Sequence, residues 1–228
     1  MNLARAPLLI SFSGIDGAGK TTQIESLRQC LEANGIRVTS IRFWDDVATL
    51  KRLREASSHS LFKSEAGVGS PERPVNRRDK NVQSWYMVPV RVLLYLLDSL
   101  RLRAIVNRLR RSSADVVIFD RYIYDELANL NLFDSRWQQL FTRGILQWTS
   151  APDVAFLLDA DPGQARARKP EYPVDFLCRN REAYMELSRM TPHITVIRVQ
   201  SVAETCAEIH EISAQTLGRN RAIVLAPQ

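Results

Sequence analysis

Short apolar runs alternate with longer segments of mixed character along this chain. The runs at 8–12, 38–43, 116–119, 154–158 and 194–199 are rich in Leu, Ile, Val and Phe, and each reads as a buried strand. The segments at 21–33, 85–111, 136–148, 174–190 and 202–217 interleave apolar and polar residues over helical lengths. Strand alternating with helix predicts an α/β protein whose parallel sheet carries helices on both faces. No internal repeat or linker divides the pattern, so residues 1–228 are expected to form a single domain. Residues 57–81 hold Gly67, Gly69, Pro71 and Pro74 among charges and serines, which predicts a mobile loop. The tail from Arg219 is expected to be a short strand or a frayed end.

Composition narrows the class. Of 228 residues, 45% are hydrophobic and 25% charged, which excludes a disordered, collagenous or coiled-coil chain. A formal charge of +6 suits an anionic partner without identifying one. Cys30, Cys178 and Cys206 lie far apart with no CxxC pair, which fits a reducing cytoplasm better than a disulfide framework. The three histidines, His59, His193 and His210, lack ligand spacing, so no structural metal is expected. The opening residues do not read as an export signal. The apolar stretch at 87–102 is broken by Pro89, Arg91, Asp98 and Arg101, whereas a membrane span needs about 20 nearly uncharged residues.

The chemistry begins directly after the first strand. Gly14-Ile15-Asp16-Gly17-Ala18-Gly19-Lys20-Thr21 fills the spacing GxxxxGK[ST] and opens a helix at Thr21 or Thr22. Glycines let backbone N–H groups face a polyphosphate while the helix presents its positive end. Lys20 then reaches the β- and γ-phosphates of ATP, and the Thr21 hydroxyl ligates Mg²⁺. Further along, a buried strand ends in Asp120-Arg121-Tyr122. A strand-terminal Asp after such a loop holds the hydration shell of Mg²⁺, and Arg121 falls at the carboxyl edge where ligands of open α/β sheets gather. By itself the Asp-Arg pair reads more readily as a capped turn with a surface ion pair; after a phosphate loop the ligand-binding reading prevails. The segment 85–111 carries six arginines against one aspartate. A crossover helix with a solvated basic end accounts for it better than a nucleic-acid or membrane surface does.

Phe12-Ser-Gly-Ile-Asp-Gly-Ala-Gly-Lys-Thr-Thr-Gln23, the Asp120-Arg121-Tyr122 triplet and Leu157-Leu-Asp-Ala-Asp-Pro162 together resemble the thymidylate kinase family of nucleoside monophosphate kinases. The resemblance implies a three-layer P-loop kinase fold around a parallel sheet of about five strands. It implies Mg²⁺-dependent transfer of the ATP γ-phosphoryl group to a nucleoside monophosphate, with dTMP the leading acceptor. Gly14, Asp16, Gly17, Ala18, Gly19, Lys20, Thr21 and Thr22 would hold the nucleotide, Asp16 would approach the acceptor, and Arg121 would clamp the acceptor phosphate. Arg42, Tyr95, Ser99 and Tyr122 would complete the acceptor site, and Thr21 and Asp120 would serve the metal. The family carries an extra catalytic arginine either within the loop or on a mobile lid. Ile15, Asp16, Gly17 and Ala18 include no base, so a lid at 164–174 would supply it through Arg166 and Arg168; a solvated helix end is the other reading of those charges. Because the family packs the segment 85–111 at a dimer interface, the resemblance also implies a homodimer.

Departures fall on the acceptor side. Arg42 matches the family, but Phe43-Trp44-Asp45-Asp46-Val47 replaces the bacterial Arg-Glu-Pro-Gly-Gly-Thr continuation. Tyr95 can stack on a base, yet Ser99 stands where an arginine would read thymine, and Tyr124-Asp125-Glu126 replaces small polar residues after the triplet. Another small phosphate or hydroxyl acceptor, or a non-catalytic nucleotide switch, therefore remains an alternative.

Overall fold

The computed structural model describes residues 6–47, 88–129 and 136–225; the loop expected at 57–81 lies outside them. Within these residues, five parallel strands form one sheet in the order β2-β3-β1-β4-β5. The strands are β1 (Leu8–Ser13), β2 (Val38–Arg42), β3 (Val116–Asp120), β4 (Val154–Asp159) and β5 (Ile194–Arg198). The helices are α1 (Lys20–Ala33), α2 (Val88–Leu109), α3 (Ile123–Asn129), α4 (Arg136–Trp148), α5 (Pro162–Arg168), α6 (Val174–Met190) and α7 (Val202–Leu225).

Position in the sheet explains the strand sequences. The three central strands are almost wholly buried, whereas the edge strands β2 and β5 are only partly covered. A parallel sheet covered on both faces requires continuous apolar runs in its middle, as LLISF, VVIF and VAFLL provide. Phe12 on β1 packs against Phe156 on β4, with ring centroids 5.2 Å apart. Register aligns Phe12 with Asp120, and Asp120 with Arg42, so three strand ends finish level at the carboxyl edge.

Local chemistry sets the helix limits. Asn34 and Gly35 end α1, where Gly35 N–H donates to the Glu32 carbonyl and Ile36 N–H to that of Leu31; the left-handed φ of 73° at Gly35 makes both bonds possible. Asp161 caps α5 by accepting from Gln164 N–H at 2.9 Å, with Pro162 at the first helical position. The tail behaves differently from expectation. Helix α7 runs on to Leu225 instead of giving a strand or frayed end, because only Gly218 interrupts good helix formers before Pro227. Strand β2 also stops one residue early, and Phe43–Val47 forms a π-helical turn in which Asp46 accepts from Arg42 N–H at 2.8 Å.

Tyr122 belongs to this framework. It is completely buried, its ring lies 5.3 Å from Phe119 and 5.4 Å from Tyr124, and its hydroxyl donates to the Ser150 carbonyl. Burial pushes the Tyr122 hydroxyl well above the ordinary tyrosine range, so it remains a donor. The side chain expected to touch substrate thus anchors the connection into β4. Tyr122→Phe should lower unfolding free energy by about 1–2 kcal/mol in urea titration, the cost of leaving a buried carbonyl unpaired. Its KM values for both substrates should stay within about twofold of wild type, since the change leaves untouched any hydrogen bond made to substrate.

Candidate active site

The phosphate loop is the stretch 14–19 between β1 and α1. Gly19 precedes α1 in a left-handed conformation, φ 90°, with no side-chain cap, and the first turn holds no acidic residue. The positive end of α1 is therefore left to an external anion. Lys20 is buried, and its ammonium folds back over the loop to donate to the carbonyls of Gly14 at 2.7 Å and Ile15 at 2.9 Å. Ala18 is buried beneath the loop, and Thr21 and Thr22 are exposed on the first turn of α1.

Gly17 determines how closely α5 approaches the loop. A Cβ at Gly17, whose φ is 86°, would stand 2.2 Å from the carbonyl oxygen of Ala165 on α5. The backbone of α5 thus rests directly on the loop. Arg168, at the end of that helix, has Nη1 about 4.0 Å from where a Gly19 Cβ would lie, while its Nε donates to the Gln164 carbonyl at 3.3 Å. Arg166 donates to the Tyr172 carbonyl. The two arginines therefore make different contacts, and Arg168 is placed beside the loop.

The end of β3 meets the loop through an ion pair. Arg121 Nη2 donates to Asp16 Oδ1 at 2.7 Å, linking the end of β3 to the loop interior. Arg121 adopts a left-handed backbone with φ 70°, rare outside glycine, while its N–H still donates to the Phe12 carbonyl at 3.0 Å. Burial works to lower the guanidinium pKa, but the charges of Asp16 and Asp125 outweigh it and hold the group firmly charged. Asp120 is half-buried at the strand end beside Arg42, whose side chain is exposed.

Tyr95 and Ser99 lie on the buried stripe of α2 with Leu102 and Val106. The Ser99 hydroxyl donates to the Tyr95 carbonyl at 2.7 Å and is satisfied within its own helix. Three residues absent from the sequence-based site border it. Asp125 is fully buried and accepts from Ser13 Oγ at 2.7 Å, Tyr122 N–H at 3.0 Å and Tyr184 Oη at 2.8 Å. The local signal for Asp125 is its place three residues after the helix-capping position, from which a carboxylate reaches back to the cap N–H. Ser13 and Tyr184 carry no such local signal.

Residues suited to a metal are modest in number. Among the described residues, no group of three or more His, Cys, Asp and Glu could hold an ion. Mg²⁺ keeps most of its water and takes one or two protein ligands alongside substrate phosphates, so the exposed Thr21 hydroxyl and the Asp120 carboxylate fit it.

A phosphate loop without a side-chain cap, at the carboxyl edge of a parallel sheet and paired with an arginine across it, defines a P-loop nucleotide-dependent phosphotransferase. The thymidylate kinase of Bifidobacterium longum is 30% identical over 199 residues, covering 82% of this chain and 86% of the relative. A probable thymidylate kinase of Methanosphaera stadtmanae is 29% identical over 194 residues, covering 83% and 88%. The crystal structure of thymidylate kinase from Ehrlichia chaffeensis superimposes with a TM-score of 0.57 at 20% identity, covering 91% of this chain and 99% of that one. No protein-family model matches. On these grounds the chain belongs to the thymidylate kinase family and is an ATP-dependent phosphotransferase.

Gly17→Ala tests the loop contact. It should weaken ATP binding at least about tenfold by calorimetry, because α5 must move to admit the methyl group and a left-handed alanine costs roughly 1–2 kcal/mol. Gly35→Ala is the control: its φ is 73° but nothing lies within 4 Å of an added Cβ. That variant should lose comparable stability and keep ATP affinity.

Proposed function

We propose that this protein transfers the γ-phosphoryl group of ATP to dTMP, with Mg²⁺, yielding ADP and dTDP. The Asp16–Arg121 pair carries this reading, because it sets an acceptor-side guanidinium on the same loop whose Lys20 and open helix end serve the donor. An incoming acceptor phosphate exchanges Asp16 for its own oxygens on Arg121, which frees the Asp16 carboxylate for an acceptor hydroxyl. Lys20 leaves the loop carbonyls for the β- and γ-phosphates, and Arg168 offsets charge on the transferring group. Thr21 and Asp120 would hold Mg²⁺, which would supply charge neutralisation to the transferring phosphoryl group. Positioning and charge neutralisation carry most of such a transfer. The 164–174 segment acts as the lid of a single P-loop kinase domain.

Two further features belong to this proposal. Leu93, Leu96, Leu97 and Leu100 form an exposed stripe on α2 opposite its buried one, which supports a homodimer formed through that helix. The free cysteines fit a reducing compartment, and we place the protein in the cytoplasm. Among the described residues no helix is long and apolar enough to cross a membrane.

Nucleotide-coupled turnover with dTMP, ATP and Mg²⁺ tests the reaction, and other monophosphates and small hydroxyl compounds serve as competing acceptors. Arg121→Lys should cut kcat/KM for dTMP by about tenfold to a hundredfold, as expected for a lost charge-assisted fork. The KM for ATP should change less than about threefold, because Arg121 is assigned to the acceptor. Equal losses for both substrates would assign Arg121 to folding, and ATP binding without any acceptor turnover would favour a nucleotide switch. For the dimer, Leu96→Glu combined with Leu100→Glu should shift sedimentation from dimer to monomer, since an apolar interface cannot accommodate four unpaired carboxylates. A wild type that sediments as a monomer at micromolar concentration would refute the interface.

A further inference from the structure

Three segments converge on one carboxylate beside the acceptor arginine. Ser13 closes β1 immediately before the phosphate loop, Tyr122 follows Arg121, and Tyr184 lies on α6, the helix entered from the lid segment. Each donates a hydrogen bond to Asp125, the first two to Oδ2 and the Tyr184 hydroxyl to Oδ1. Asp125 and Tyr184 are almost completely buried. Burial first, and the Asp125 charge second, push the Tyr184 hydroxyl well above the usual tyrosine range, so it remains a donor.

Capping α3 accounts for only one of the three bonds, the one from Tyr122 N–H. The other two reach elements distant in sequence: β1, 112 residues from Asp125, and α6, 59 residues away. A buried carboxylate is costly unless its lone pairs are satisfied, and here neighbouring elements supply the donors. The carboxylate also counts among the charges that keep Arg121 protonated. Its bond to Tyr122 holds the peptide that follows the left-handed Arg121, a conformation that persists only when its surroundings enforce it.

We propose that Asp125 is a positioning residue for acceptor-phosphate capture, acting through Arg121. It locks the backbone on which the guanidinium is mounted and ties that mount to the phosphate loop through Ser13 and to the lid-side helix through Tyr184. When the acceptor takes Arg121 from Asp16, the guanidinium stays aimed because its backbone does not relax with it. The proposal rests on the assignment of Arg121 to the acceptor.

The test uses the full chain with steady-state kinetics in dTMP and in ATP, ATP calorimetry and thermal unfolding. Asp125→Asn keeps the shape but removes the charge and turns one of the two acceptor oxygens into an N–H donor, so it accepts fewer of the bonds from Ser13, Tyr122 and Tyr184. It should lower kcat/KM for dTMP by about tenfold to a hundredfold, as for a disrupted charge-assisted network. ATP affinity should stay within about threefold, since Ser13 precedes the phosphate loop and none of residues 14–20 bonds to Asp125 in a hydrogen bond described above. Tyr184→Phe and Ser13→Ala each remove one neutral bond and should show the same split at about twofold to tenfold. Adding Arg121→Lys to Asp125→Asn should cost much less than the product of the single losses, because both act on one group. Equal losses for dTMP and ATP that track the melting temperature, or a multiplicative double variant, would overturn the proposal. If Asp125→Asn does not fold, Tyr184→Phe decides: an acceptor-selective loss supports the coupling, and its absence defeats it. A wild type without dTMP turnover overturns both the acceptor assignment and this inference, whereas an active wild type without the split overturns the inference alone.

Discussion

A guanidinium flanked by two buried carboxylates organises the catalytic edge of this protein. Arg121 reaches Asp16 at 2.7 Å, and Asp125 lies close enough to contribute to its charge. Desolvation works against a largely buried cation, and the pair is kept by its short contact while the Arg121 N–H is held by the Phe12 carbonyl. The left-handed turn at Arg121, the cap on α3 and the packing of α6 against α3 all serve that arrangement. Lys20, at the start of α1, lies four residues beyond Asp16.

Strand ends deliver these groups. Parallel pairing brings Phe12, Asp120 and Arg42 to one level, and the phosphate loop leaves the sheet one residue after Ser13. The arrangement follows from burial: continuous apolar runs force the central strands into the middle of the sheet, and charged residues appear where the runs stop. Ligands of open parallel sheets collect at this edge for the same reason.

Much of this is readable from the chain. The five runs mark the five strands, and GxxxxGK[ST] marks the loop, because each depends on residues adjacent in sequence. The short helices α3 and α5 escape the periodicity: seven residues are too few to show it, although Asp161-Pro162 is a helix-start signal that could have located α5. Tyr122, placed in the acceptor site by its position in the triplet, is packed into the core. The positive φ at Arg121 breaks strand alternation, sending one side chain to the loop and the next into the core, and no local pattern announces that turn. Asp125 is invisible as a junction for another reason, since its partners Ser13 and Tyr184 come from distant parts of the chain. Ser99 illustrates the limit of alignment by position. Its rank along the helix suggests a base-reading site, yet its hydroxyl closes on its own backbone inside a buried stripe.

The contact between Gly17 and the Ala165 carbonyl has an evolutionary corollary. What touches the loop is main chain, which every residue at position 165 carries alike; what makes room for it is a side chain that does not exist. Tolerance to substitution is therefore lopsided across one interface. At position 165 the contact itself asks only that the backbone stay helical, while position 17 is confined to a single residue type. Divergence of the lid can then proceed without reshaping the phosphate cradle, and a chain with a rebuilt acceptor side can keep an unaltered nucleotide loop.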